Sequence, residues 1–172
     1  MTRDEILLNS IWTEAKLVVH SPFFNQQVRV DLVTSDYVLK HVTSIISETL
    51  VQTLNDFLTL SEQYQPLMKK LIYQHCLSCC NDISYGVDIN EGETETEANL
   101  REFGVTDETS AFEKANLDHV YIKEDSFRKN RFVKIVFYPE WEREHGCELI
   151  LKNGELLDFS GENGMYLGQF DE

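Results

Sequence analysis

The residues with the chemistry to hold a metal or attack a substrate are His75, Cys76, Cys79, Cys80, His145 and Cys147, which include all four cysteines. Cys76-x-x-Cys79 has the spacing of half a tetrahedral zinc site, and His145-x-Cys147 offers two further ligands of suitable softness. The spacing also has a plain meaning. On a helix Cys76 and Cys79 share a face, where cysteine behaves as a small apolar side chain, and zinc knuckles usually present such a pair on a tight turn. A thiol nucleophile needs an imidazole in reach and donors for an oxyanion. His145 and Cys147 point the same way if both lie in one strand, but no nucleophile motif surrounds them. Glu140, Glu142 and Glu144 resemble a glycoside-cleaving pair only as any two of 30 acids do. These residues lead to an expectation of no cofactor, no metal and no catalytic residue, with an enzyme built on His145 and Cys147 as the alternative.

Periodicity locates the elements that position them. Residues 131–138 are rich in β-branched and aromatic types, and 147–152 meets 155–159 across Asn153-Gly154. Asn-Gly supplies the two positive-φ residues of a type I′ turn, so Lys152 should face Glu155, Leu151 face Leu156 and Ile150 face Leu157. Residues 14–19 and 28–33 read as an N-terminal hairpin turning at Ser21 to Gln26, with Phe23 and Phe24 in a buried corner. Residues 1–10 read as a short helix or a lead-in.

Ile46, Leu50, Leu54, Phe57 and Leu58 recur at helical spacing between about 43 and 59, with Thr43 or Ser44 as N-cap. Pro66 opens a second helix reaching Cys80 to Asp82. A short connection predicts that the two pack antiparallel on the sheet. From Tyr85 to Glu97 the composition turns acidic, and residues 84–115 read as an acidic insertion or loop within a single domain of residues 1–172. Short helices over 97–103 and 107–115 fit, the second begun by Thr106 or Asp107. The plain meaning of Glu91, Glu93, Glu95 and Glu97 is a solvated loop; the functional one is an anionic arm that docks on a basic partner. Residues 117–122 resume strand character, and 161–170 read as turns plus a final edge strand. The fold class is α+β: a mostly antiparallel sheet, N-terminal hairpin plus C-terminal meander, with the helical pair on one face.

Trp141-Glu142-Arg143-Glu144-His145-Gly146, after a strand and before an Asn-Gly hairpin, resembles the C-terminal half of a family of uncharacterised bacterial domains with a Trp-acidic-x-Glu-His-Gly block. Trp12, Pro22-Phe23-Phe24 and the helical pair agree more loosely. Glu142 replaces the more usual Asp, and Cys147 an aliphatic residue. Such families are often encoded beside polymorphic toxins, so the resemblance implies an immunity or partner-binding role and brings no catalytic residue with it. Read by themselves, the residues of the block suit a structural loop, a partner contact or catalysis, the first above the others. A carboxylate beside His145 fixes its tautomer, Gly146 supplies a special backbone conformation, and Trp141 covers the sheet edge.

Charge sets the class of partner. With 15 basic against 30 acidic residues the formal charge is −15, a field that repels nucleic acid and anionic membranes. Arg128-Lys129-Asn130-Arg131 reads as a solvated turn rather than a segregated basic patch. A hydrophobic content of 42% favours a folded chain over disorder. The apolar run at the N-terminus is too brief for a signal peptide, which predicts a cytoplasmic protein with reduced cysteines. The expected function is a non-enzymatic binding protein, most concretely an immunity protein that neutralises a toxin or other basic protein. Its expected contacts are Glu91, Glu93, Glu95, Glu97, Asp107, Glu108, Glu140, Trp141, Glu142, Glu144 and His145. A structural subunit of a larger assembly is the remaining alternative.

Overall fold

A computed structural model describes residues 1–11, 16–33, 46–124, 128–160 and 167–171. Helix α1 (Arg3–Asn9) is fixed by a reciprocal cap, in which the Thr2 N–H donates to Glu5 Oε2 at 2.6 Å and the Glu5 N–H to Thr2 Oγ1 at 3.3 Å. Strands β1 (Ser10–Ile11), β2 (Lys16–Ser21) and β3 (Gln26–Val33) follow. Four helices come next: α2 (Glu48–Leu58), α3 (Gln65–Asp82), α4 (Glu95–Phe103) and α5 (Glu108–Lys114). Strands β4 (Ala115–Lys123), β5 (Phe132–Pro139), β6 (Cys147–Lys152) and β7 (Glu155–Ser160) complete the sheet.

Among the described residues the strands form one seven-stranded sheet in chain order. Every pairing is antiparallel except β3 with β4. Parallel neighbours need a long crossover, and α2 to α5 occupy it. The fold is therefore α+β, with a mostly antiparallel sheet.

Alternation sorts the strand residues onto two faces. Val28, Val30, Val120, Ile122, Ile135, Phe137, Cys147 and Leu149 point to one face and join Leu54, Phe57, Met68, Ile72 and Cys76 of the helices in a single core. The other face carries two cross-strand rows. Arg29, His119, Val136, Glu148 and Ser160 make one; Asp31, Tyr121, Lys134, Ile150 and Asp158 make the other.

Four local expectations are corrected. The hairpin turns on Asn153 (φ 52°) and Gly154 (φ 89°), and Lys152 faces Glu155 as the turn dictates, but a bulge pairs Ile150 with Asp158 instead of Leu157. The helix expected from about 43 begins at Glu48 behind Ser47, whose Oγ accepts the Leu50 N–H at 3.0 Å; Thr43 and Ser44 lie outside the described residues. Helices α2 and α3 both cover one face of the sheet, as expected, but over different strands. α2 lies over β4 and β5, whereas α3 lies over β6 and β7 and takes α4 and α5 as its neighbours. Leu167–Phe170 is a 3-10 turn instead of an edge strand; residues 161–166, like Trp12, lie outside the described residues.

Residues 84–115 hold α4 and α5, each opened by a capping box at Thr94/Glu97 and Asp107/Ser110. Both helices reach inward through fully buried side chains. Asn99 donates to the carbonyls of Cys80 at 2.9 Å and Ile83 at 3.3 Å, closing the end of α3, and Ala111 joins the core.

Candidate functional site

The block after β5 is built around Trp141. Its side chain is 2% exposed, and its Nε1–H donates to Nδ1 of His75 on α3 at 3.1 Å. Its carbonyl accepts the Tyr85 hydroxyl at 2.7 Å, and the Tyr85 ring meets Phe103 of α4 edge-on. The loop is thus tied to α3 directly and to α4 through Tyr85. Trp141, expected among the partner contacts and as a cover for the sheet edge, is spent inside the molecule. His75 stood out in the sequence only as a possible metal ligand and Tyr85 not as a site residue, because the partner of both, Trp141, lies more than 50 residues away.

Glu142 closes the loop. Its Oε1 accepts the backbone N–H groups of Glu144 at 3.1 Å and His145 at 3.0 Å, and the His145 ring nitrogen Nδ1 lies 3.5 Å from the same oxygen. Burial pushes this carboxyl up, but those N–H groups more than offset it, and the group is held below the usual glutamate range. Gly146 then turns the chain at φ 73°. His145 and Cys147 consequently do not share a strand direction. His145 stands outside β6 and is half exposed, while Cys147 begins β6 facing the core at 0% exposure.

The cysteines behave as core residues. Cys76 and Cys80 lie with their sulfurs 3.9 Å apart, and Cys79 Sγ sits 3.8 Å from His75 Nε2. Burial, followed by the charge of Glu142, pushes the Cys79 thiol up to about 12, and burial raises Cys147 further. A nucleophilic or metal-binding thiol needs the opposite shift, which of the four only Cys80 has, through its contact with the Cys76 sulfur. Among the described residues no three His, Cys, Asp or Glu side chains converge as a metal site would require.

His75 carries a pH dependence. Burial lowers its pKa to about 4, only partly opposed by Glu142. Because Nδ1 accepts from Trp141, the neutral ring carries its proton on Nε2, and protonation must break the indole bond. Between the ordinary imidazole range and pH 4 the unfolded chain binds a proton that the folded chain refuses, so stability falls as pH falls. Lowering the imidazole from its ordinary 6.5 to about 4 corresponds to about 3 kcal/mol. Urea unfolding at pH 7, 5.5 and 4 should show this loss, and His75→Phe should flatten it; an equal slope in the variant would assign it elsewhere.

The expected contact acids divide by their local duties. Glu97 is the third residue of the α4 capping box, and Glu93 accepts both Arg101 Nε at 2.9 Å and Nη2 at 3.1 Å, which holds it well below the usual range. Asp107 caps α5. Glu91, Glu95, Glu108, Glu140 and Glu144 are exposed, with no side-chain bond among the described residues. Asp107 and Glu108 begin α5, whose Phe112 ring lies 5.8 Å from Lys69 Nζ near the start of α3. They are therefore set apart from the 140–145 loop, which adjoins α4.

The basic cluster at 128–131 is more than a solvated turn. With Lys123 and Lys134 it lines a cavity of about 210 Å³ at the ends of β4 and β5. One of its charges is paired and its backbone is held. Arg131 binds Asp56 of α2 through two bonds of 2.8 and 3.1 Å, and Asp171 accepts the backbone N–H groups of Lys129 at 3.4 Å and Asn130 at 3.1 Å.

The fold and this loop define a small α+β domain whose C-terminal meander is locked to a crossover helix by a buried indole–imidazole pair. The chain belongs to the DUF6985 family, a domain of unknown function, whose profile matches residues 4–167. No match is found among curated proteins or among solved structures. No helix among the described residues is long and apolar enough to cross a membrane.

Proposed function

We propose that this protein is a non-enzymatic, cytoplasmic binding protein that engages a basic macromolecular partner through the layer formed by α4 and α5, most concretely as an immunity protein occupying the basic cleft of a toxin. The observation that carries this reading is the charge of that layer. Residues 84–115 hold nine acids against two bases, and one of those bases, Arg101, is committed to Glu93. Six of the acids stand on α4 and α5 or cap them, helices anchored to α3 by Asn99 and Ala111. The segment before α4 that carries Asp88, Glu91 and Glu93 is tied to Arg101, so binding would order little chain. Burial of Cys147, with the half-exposed His145 turned away from it, weighs against the thiol-enzyme alternative.

The layer predicts steered association. A partner isolated from the native host, or the toxin encoded alongside, should associate about tenfold or more slowly when salt is raised from about 0.05 to 0.5 M, because the Debye length shrinks several-fold. Replacing Glu91, Glu95 and Glu108 together by lysine removes no cap and no observed side-chain bond, and should slow association similarly at low salt. Lysine in the first turns of α4 and α5 opposes the helix dipoles and lowers stability by only about 1–2 kcal/mol, leaving the protein folded. An on-rate indifferent to both changes would remove the acidic layer from recognition.

A further inference from the structure

The sheet face opposite the helices holds a hollow of about 300 Å³, with Tyr121, Lys134, Tyr138 and Glu148 among its walls, Val136 at its floor, and His119 and His145 at its rim. That volume lies at the lower end of small-molecule pockets, which span about 300 to 1,000 Å³. Lys134 Nζ and Glu148 Oε2 lie 3.3 Å apart on side chains only 9% exposed. Despite that proximity Glu148 Oε2 has no hydrogen-bond partner, and neither has the buried Oγ of Ser160, which faces Glu148 across β6 and β7. Buried polar atoms without a hydrogen bond are costly; Arg29 Nε in the same row is a third, but of the three residues only Glu148 lines the hollow.

The surrounding groups are held in place. Lys134 Nζ lies 5.3 Å from the centre of the Tyr121 ring. His119 is fixed by Asp118, whose Oδ2 lies 2.7 Å from Nδ1. The Tyr138 ring borders Gly146, whose missing side chain leaves room for it, and is 38% exposed.

We propose that this hollow binds a neutral, polyhydroxylated small molecule of the monosaccharide class, with Lys134 and Glu148 recognising its hydroxyls and Tyr138 stacking on its carbon face. The ion pair selects the class. An incoming cation meets Lys134, an incoming anion meets Glu148, and an apolar ligand leaves Glu148 Oε2 without a hydrogen bond. A hydroxyl does both through a single oxygen, donating to the carboxylate while accepting from the ammonium. Aromatic walls beside such a pair offer the flat apolar surface that a sugar ring presents on its other side. This site is on a different surface from the acidic helical layer and does not depend on the function proposed for it.

Saturation-transfer NMR on the full chain tests it, using glucose, galactose, N-acetylglucosamine and myo-inositol as probes at about 10 mM, a concentration that reveals millimolar binding. At least one probe should receive saturation. Tyr138→Ala, at an exposed ring, should weaken that probe about tenfold or more. The double variant Lys134→Met/Glu148→Gln removes both charges together, so that neither remains unpaired, and should abolish transfer while its unfolding midpoint stays close to wild type. Glucosamine and glucuronate should bind more weakly than glucose. Silence from all four neutral probes, transfer unchanged in Tyr138→Ala or in a folded double variant, or tighter binding of either charged sugar would overturn the assignment.

Discussion

Gly146→Ala is expected to destabilise the protein by about 2–5 kcal/mol, the sum of a positive-φ cost of roughly 1–2 kcal/mol and an overpacking cost of roughly 1–3. A β-carbon at this position would lie 2.6 Å from the Phe137 carbonyl oxygen and 3.2 Å from the Tyr138 ring. The first neighbour is backbone at the last pair of the β5–β6 ladder, where Phe137 faces Cys147, so relief requires shifting the start of β6. Gly104 provides the control. It also has positive φ, at 64°, but a β-carbon there meets only the end of the Lys114 side chain at 3.8 Å. Gly104→Ala should lose the conformational component alone, about 1–2 kcal/mol. Chemical unfolding of both variants measures the difference, and equal losses would mean that close approach at Gly146 contributes nothing.

The same glycine shows where sequence reasoning succeeds. A special conformation at Gly146 and the Asn153-Gly154 turn were legible because positive φ leaves a residue-type signature within a few positions. The two long helices were legible from spacing, and the strands from alternation. The bulge opposite Ile150 was not, since the alternation of 155–159 is compatible with either register. Nor was the parallel β3–β4 pairing, which depends on how a crossover of four helices closes. Thr94-x-x-Glu97 was a readable capping box, yet Glu97 disappeared among its acidic neighbours.

The candidate sites divide along the same line. Exposed acids are visible as composition, but whether each is free to meet a partner depends on bonds such as Glu93 to Arg101, eight residues apart. Lys134 and Glu148 each interrupt an apolar strand, a signal that marks an outward-facing position and nothing more. Only the pairing of β5 with β6, which sets Val136 opposite Glu148 and Lys134 opposite Ile150, places the two charges diagonally on one face.

Trp141→Ala is expected to cost about 3–5 kcal/mol, the range for removing a large buried aromatic side chain. Trp141→Phe separates the parts of that loss. Phenylalanine keeps most of the apolar contact but leaves His75 Nδ1 without its donor at a site 3% exposed, a penalty of about 1–3 kcal/mol before any cavity is counted. If the indole–imidazole bond is what locks the loop to α3, the loss should be smaller when His75 has already become Phe, and a double-mutant cycle should return a coupling of about 1 kcal/mol or more. The bond also makes the indole a reporter. Because protonating His75 breaks it, the near-ultraviolet signal of the folded wild type should change with a midpoint near the His75 pKa of about 4, and not in His75→Phe. Additive losses in the cycle together with a pH-invariant signal would show that Trp141 fills space without fastening the loop, and the low-pH sensitivity assigned to His75 would lose its physical cause.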